Sequence, residues 1–419
     1  MNMQTKVGLI LAASLLAAGS AGSAGAQTLA TGDSRTVTQP TYPGICKTIN
    51  ARYSSTQRAS PPSSSADDTS VIQQALTDCK DTGKSVVLAA SGSNDAFYTG
   101  SLSISGAGLV INSGVTLFGN DSYSSAANLL SFTGTNASLM GPGTVDGRGD
   151  IISGTPRLVQ ASNITNFIVY NVTLAQAAHP NLYVEGGNGF TAWGVSIRTP
   201  ATRKNADGID IDSLTNATVT QSDIEAGDDG IAVKTNSGDI SNVTVSNTRL
   251  HGTHGLSVGS IDKNTVSNIL FTNNYVYGND LSGTQSTNNN GINVKTGPCS
   301  LTVKQVSYVN TCMTGVKHLI VMDTNYNACT TGGSPSLSNI VVNGAYSTQS
   351  VSGAYSKIDG RNASFPVNAY LANVSLDATA QSGDQYANVG LYKSNVVPSG
   401  TGVTTSSFTM SGSVPSCSF

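Results

Sequence analysis

Only 11% of the 419 residues are charged and 45 are glycine, so straight-chain helix formers are scarce and turns and strands are favoured. A formal net charge of −3, without any lysine and arginine cluster, excludes a basic face for nucleic acid. After the first residues no stretch reaches the roughly eighteen apolar residues of a membrane helix, which argues against a membrane partner.

The chain opens with MNMQTKVGLILAASLLAAGSAGSAGAQ: one lysine, an apolar run from Val7 to Ala18, then small residues. Ala24-Gly25-Ala26 fits a small-x-small cleavage site, so residues 1–26 are expected to be a secretory leader and 27–419 one exported domain. PPSSS (61–65) reads as a loop. The one convincing helix follows at 67–80, DDTSVIQQALTDCK, where Asp67 or Asp68 can cap and Val71, Ile72, Ala75, Leu76 and Cys79 form an apolar stripe. Six cysteines (46, 79, 299, 312, 329, 417) suit disulfides in an oxidising compartment; Cys46–Cys79 is the expected N-terminal pair, and the other four could pair locally.

From residue 164 a strand-type unit repeats: ITNFIVYNVTL, GNGFTAWGVSI, LTNATVTQSDI, ISNVTVSNTRL, VSNILFTNNYV, VKQVSYVNTCM and LSNIVVNGAYS. Their starts are spaced by 23, 27, 26, 26, 37 and 34 residues, and asparagine recurs at the third or eighth position. Apolar and polar residues alternate within each unit, which is the strand period. A period near 25 built from strands predicts an all-β parallel β-helix, in which each turn of chain lays its strands on those of the turn before. The helix at 67–80 would then cap the open first coil.

A second register lies between these copies: ADGIDIDS (206–213), DDGIAVKT (228–235), THGLSVGS (253–260) and NNGINVKT (289–296). Aligned on the glycine, Asp207, Asp229, His254 and Asn290 share one position, with Asp228 beside Asp229. Asp210, Ala232, Ser257 and Asn293 share another, as do Asp212, Lys234, Gly259 and Lys295. Coils stack about 4.8 Å apart, so Asp207, Asp228, Asp229, His254 and Lys295 should converge on one face. The glycines allow a bend or positive φ where each strand begins. Singly, Asp before Gly is usually a turn residue, and stacked aspartates could bind calcium. Calcium does not explain an imidazole and an amine beside the acids, so neither a metal nor a cofactor is expected. Paired carboxylates suit glycoside hydrolysis, one protonating the leaving oxygen and another activating water; crowding should hold one of them protonated.

These residues resemble the polygalacturonase family of pectin-degrading glycoside hydrolases, which carries Asn-Thr-Asp, Gly-Asp-Asp, Gly-His-Gly and Arg-Ile-Lys in order. Here they read Asn205-Ala206-Asp207, Gly227-Asp228-Asp229, Thr253-His254-Gly255 and Asn293-Val294-Lys295. DDTSVIQQALTDC and LMGPGTVDGRG (139–149) also look like the family. The resemblance implies a right-handed parallel β-helix and a secreted, monomeric, inverting hydrolase of α-1,4-galacturonosyl bonds in pectic polysaccharide. Asp228 would be the general acid, Asp207 and Asp229 would hold and deprotonate water, and His254 would position the acid. Lys295 would bind a galacturonate carboxylate, with Asn205, Asn293 and Tyr326 bordering the substrate. Asn293 stands where the family has arginine and cannot supply a charged bidentate clamp. Weaker reliance on a charged sugar there, or compensation by Arg203, Lys204 or Lys263, is therefore expected. The alternatives are a xylogalacturonan or rhamnogalacturonan hydrolase, a calcium-using pectate lyase, or a non-catalytic β-helix adhesin.

Overall fold

The computed structural model describes residues 27–329 and 333–419; the expected leader lies outside the described residues. The named strands pair in parallel throughout, each with its counterpart one coil away. Three columns of strands result. The column that carries the site runs through Ile209–Asp212, Ile231–Lys234, Leu256–Ile261, Asn290–Thr296, His318–Asp323 and Tyr355–Asp359. This is the predicted parallel β-helix.

Alternation decides which side faces in. Leu182, Ile209, Ile231, Leu256, Ile292 and Ile320 are partners in register and fully buried, as are Val184, Ile211, Val233, Val258, Val294 and Met322. Each such side chain contributes about 1.5–3 kcal/mol relative to exposure. The intervening polar residues of the same strands consequently point outward, in rows along the axis.

The recurring asparagines have a backbone reason beyond stacking. Third-position Asn166, Asn216, Asn242, Asn268 and Asn339 all have φ between 51° and 60°, and eighth-position Asn171, Asn247, Asn273 and Asn310 between 50° and 55°. Both positions are left-handed bends, most of them within the long strands, where asparagine and glycine are tolerated best. The side chains add ladder bonds, such as Asn268 Nδ2 to Asn242 Oδ1 at 2.8 Å and Asn216 Nδ2 to Asn188 Oδ1 at 3.0 Å.

The helix spans Thr69–Asp78, shorter than expected at both ends. Asp68 is its N-cap residue but gives no side-chain cap; its carboxylate is taken by Arg52 and the Tyr98 N–H, and Asp67 accepts from Thr69 N instead. Ile72, Ala75, Leu76 and Cys79 are buried as expected, whereas Val71 is exposed. Cys46–Cys79 forms, and the remaining cysteines pair as Cys299–Cys329 and Cys312–Cys417. The last of these bridges 105 residues, which a local pairing did not foresee.

Residues 28–42 run across successive coils as a strap. Ala30 N reaches Ser307 Oγ, Gly32 N reaches Asn268 Oδ1, Asp33 N reaches Thr244 Oγ1, and Arg35 reaches the Phe190 carbonyl. The Asp33 carboxylate is buried between Arg35 and Thr218 Oγ1. Asp33→Ala is expected to cost about 2 kcal/mol, since it strips a charged hydrogen-bond acceptor from both partners. A urea midpoint equal to that of the unaltered chain would show that the strap contributes nothing.

Candidate active site

The second register folds as aligned, with Asp210, Ala232, Ser257 and Asn293 as successive register partners. Asp212 pairs with Lys234, but the Gly259 column is interrupted by a register shift between Val258 and Ile261, so Lys295 faces no residue there. The shared glycines serve close approach more than positive φ, which only Gly255 has among the four. A Cβ at Gly208 would lie 2.3 Å from the Gly230 carbonyl oxygen, and one at Gly291 would lie 2.2 Å from Met313 Sδ.

Outward-facing side chains then meet in pairs. His254 Nδ1 is 2.9 Å from Asp228 Oδ1, which also accepts from Asp229 N at 2.9 Å. The His254 backbone N–H donates to the Asp228 carbonyl at 2.7 Å, locking the two coils together. Lys295 Nζ reaches both Asp229 oxygens at 2.9 Å, and Ser257 Oγ donates to Asp229 Oδ1 at 2.7 Å. Asn293 Nδ2 contacts Ser257 Oγ at 3.3 Å, so the amide supports Asp229 through the serine. Lys234 Nζ sits 2.8 Å from Asp207 Oδ2 and 2.9 Å from Asp210 Oδ1.

The proton affinities of the acids diverge. Burial pushes Asp228 up, but the hydrogen bond and charge of His254, with the Lys295 charge and the Asp229 N–H, leave it below the usual carboxylate range. Burial raises Asp229, and the neighbouring Asp207 and Asp228 charges keep it raised although Lys295 pulls it down. Asp210 is driven highest, by complete burial and by Asp207 alongside; its oxygens accept no well-aligned hydrogen bond despite the nearby Lys234. The expected crowding effect is therefore present, but it acts on Asp229 and Asp210 and not on Asp228.

Two hollows open along the axis and meet at Asp228, Lys295 and Tyr326. One, of about 310 Å³, extends toward His318, Asp323, Tyr355 and Lys357. The other, of about 350 Å³, extends toward Arg157, His179, Tyr183 and Asn205 and includes Asp207, Asp210 and Asp229. Tyr326 is half exposed at the junction, its ring centroid 5.3 Å from Lys295 Nζ. Asn205 lines the second hollow from a left-handed turn (φ 56°). All eight sequence-predicted residues thus lie together. Arg203, Lys204 and Lys263, expected to compensate for Asn293, line neither hollow. The Arg203 carbonyl instead backs onto Gly227, where a Cβ would lie 1.9 Å from its oxygen.

Asp210, Lys234 and Ser257 were named in the sequence columns without a role, and Arg157 and His179 carried no signal. Strand alternation could have flagged the first three, because each stands on the outward face of a site strand. Arg157 and His179 come from coils outside the second register.

Comparison with protein families matches residues 79–397 to "Glycosyl hydrolases family 28". The chain is 32% identical over 404 residues to an endo-polygalacturonase of Pectobacterium parmentieri, covering 86% of this chain and 93% of that one. It is 29% identical over 414 residues to a polygalacturonase of Ralstonia solanacearum, covering 80% and 77%. Among solved structures it superposes on the polygalacturonase from Erwinia carotovora ssp. carotovora with a TM-score of 0.74 at 30% identity, covering 85% of this chain and 99% of that one.

Proposed function

Because the chain belongs to glycosyl hydrolases family 28, we propose that it is exported and hydrolyses the α-1,4-galacturonosyl bonds of pectic polysaccharide with inversion at the anomeric carbon. The observation that carries this reading is the pairing of one acid with an imidazole and of its neighbour with an ammonium group: Asp228 with His254, and Asp229 with Lys295. A reaction in which adjacent carboxyl groups do different work accounts for both pairings.

Asp228 is the proton donor. In the free protein Asp228 is held low by its contact with His254 Nδ1 at 2.9 Å. A bound polyuronide displaces water and adds negative charge, both of which raise the Asp228 proton affinity, so that Asp228 carries the proton it delivers to the glycosidic oxygen. Asp229 and Asp207 take the water proton, and Asp210 and Lys234 hold Asp207 in place. Protonation of Asp229 removes the base. Since Asp229 is raised above its ordinary value, the acid limb of kcat/KM should be displaced upward with it.

Export is supported by the leader-like N-terminus and by three disulfides. Among the described residues no helix is long and apolar enough to cross a membrane.

Reducing ends released from polygalacturonate without ultraviolet-absorbing unsaturated product, and a β-anomer as the first product by NMR, are the expected results. An unsaturated product would overturn hydrolysis in favour of elimination, and an α-anomer would overturn inversion. Ligand atoms of Asp228, Asp229 and His254 lie within 4.8 Å of one another, a spacing a cation could use. Lys295 already supplies the positive charge on Asp229, so treatment with EDTA should leave the rate within about twofold. A larger loss restored by calcium would reopen the lyase reading.

A further inference from the structure

The two hollows that meet at the reacting acids carry their charge differently. In the hollow toward Tyr355 each lysine is already matched with carboxylates. Lys295 grips both oxygens of Asp229, and Lys357 lies 2.8 Å from Asp323 and 2.9 Å from Asp359. His254 is committed to Asp228. His318 is uncharged at mildly acidic pH, since burial, with the Lys317 and His254 charges, lowers its pKa to about 4, and its Nδ1 is engaged with Asn290 Oδ1 at 2.7 Å. Asn293 contributes only a neutral amide. Lys295, to which the family resemblance gives a galacturonate carboxylate, is already engaged by Asp229, so a sugar carboxylate arriving here would confront Asp228 and Asp323 with every cation paired.

The opposite hollow differs in one residue. Arg157 lines it, and among the described residues no carboxylate oxygen lies within the 4.0 Å of an ion pair. Its guanidinium carbon lies 4.3 Å from the Tyr183 ring centroid, a stacking that orients the fork. Nη1 donates to Gln160 Oε1 at 3.0 Å, and Nε is buried without a partner. Lys234, the one lysine that lines this hollow alone, is held by Asp207 and Asp210. Arg157 is therefore the one lysine or arginine of the cleft still open to an anion, and a planar fork suits a carboxylate.

We propose that Arg157 binds the carboxylate of a galacturonate unit on the Asp207 side of the scission point, while the hollow toward Tyr355 accepts a galacturonate whose carboxyl is methyl-esterified. This rests on the polygalacturonan-hydrolase reading and extends it to a partially esterified substrate. Specificity then comes from an asymmetry: one side demands a charge, and the other tolerates its absence.

The test is digestion of a randomly and partially methyl-esterified homogalacturonan, with the products sequenced by tandem mass spectrometry. Methyl esters are expected on one of the two newly formed chain ends and not on the other. Arg157→Gln should raise KM on fully de-esterified polymer about tenfold with kcat within about twofold, and should let esters appear at the formerly excluded end. Arg157→Lys should recover part of the affinity, which a purely structural loss of the Tyr183 stacking would not give. Esters excluded equally from both ends, or accepted equally at both, would overturn the proposal, as would an unchanged KM for Arg157→Gln. If the unaltered protein released no reducing ends even from de-esterified polymer, the underlying hydrolase reading would fall instead. That outcome is separate from hydrolysis with symmetric exclusion.

Discussion

Asp228→Asn is expected to lower kcat on polygalacturonate by about 10³-fold, within the usual range for losing a positioned general acid. The amide preserves shape and can still hydrogen-bond to His254, but it cannot deliver a proton to the leaving glycosidic oxygen. Binding should persist, so KM should change little. The thermal midpoint should also stay close to that of the unaltered chain, because Asp228 is only partly buried and its carbonyl keeps the bond to His254 N. Initial rates of reducing-end release, read beside a melting curve, make the check. Release at the unaltered rate by a folded Asp228→Asn protein would remove Asp228 from the role of proton donor.

Lys295→Met should be the most destabilising single change in the site. Asp229 is buried, and its two oxygens share the Lys295 ammonium, with Ser257 as their remaining side-chain partner. Removing the cation leaves a buried carboxylate uncompensated, which costs about 3–5 kcal/mol at neutral pH. The pH dependence has a definite sign. Asp229 already binds its proton more tightly in the folded chain than an ordinary aspartate does, and losing Lys295 drives it further in that direction. The folded state then holds more protons than the unfolded one between the ordinary aspartate pKa and the raised value, so stability falls as pH rises through that window. The deficit should be largest at neutral pH and shrink on acidification, as Asp229 takes a proton. Urea midpoints measured from acid to neutral pH test this; a deficit that is constant, or that grows toward acid, would contradict it. Activity should be lost as well, because a protonated Asp229 cannot accept the proton of the attacking water.

Much of the site was legible from the chain because a solenoid turns sequence periodicity into spatial adjacency. Once the glycines of ADGIDIDS, DDGIAVKT, THGLSVGS and NNGINVKT are aligned, Asp207, Asp229 and His254 must lie on successive coils. Less was legible where the repeat gives way to loops or bulges. The shift at Gly259 leaves Lys295 without a register partner on that side, and its side chain pairs with Asp229, reached diagonally across the coils. Arg157 and His179 enter from coils whose sequences carry no acidic motif. The unused cap at Asp68 has a similar origin, since Arg52 and the Tyr98 N–H compete for a carboxylate that helix rules assign to the helix.

The amino-acid sequence alone determined the parallel β-helix, its period and the set of acids, imidazole and amine that share one face, because alternation and repeat spacing are properties of the chain itself. Tertiary structure alone decided how those groups are partnered. It put Lys295 on Asp229 and Lys234 on Asp207 and Asp210, lowered Asp228 while raising its neighbour, and left Arg157 open. Which charge meets which depends on distance and burial across coils, and no spacing along the chain encodes either.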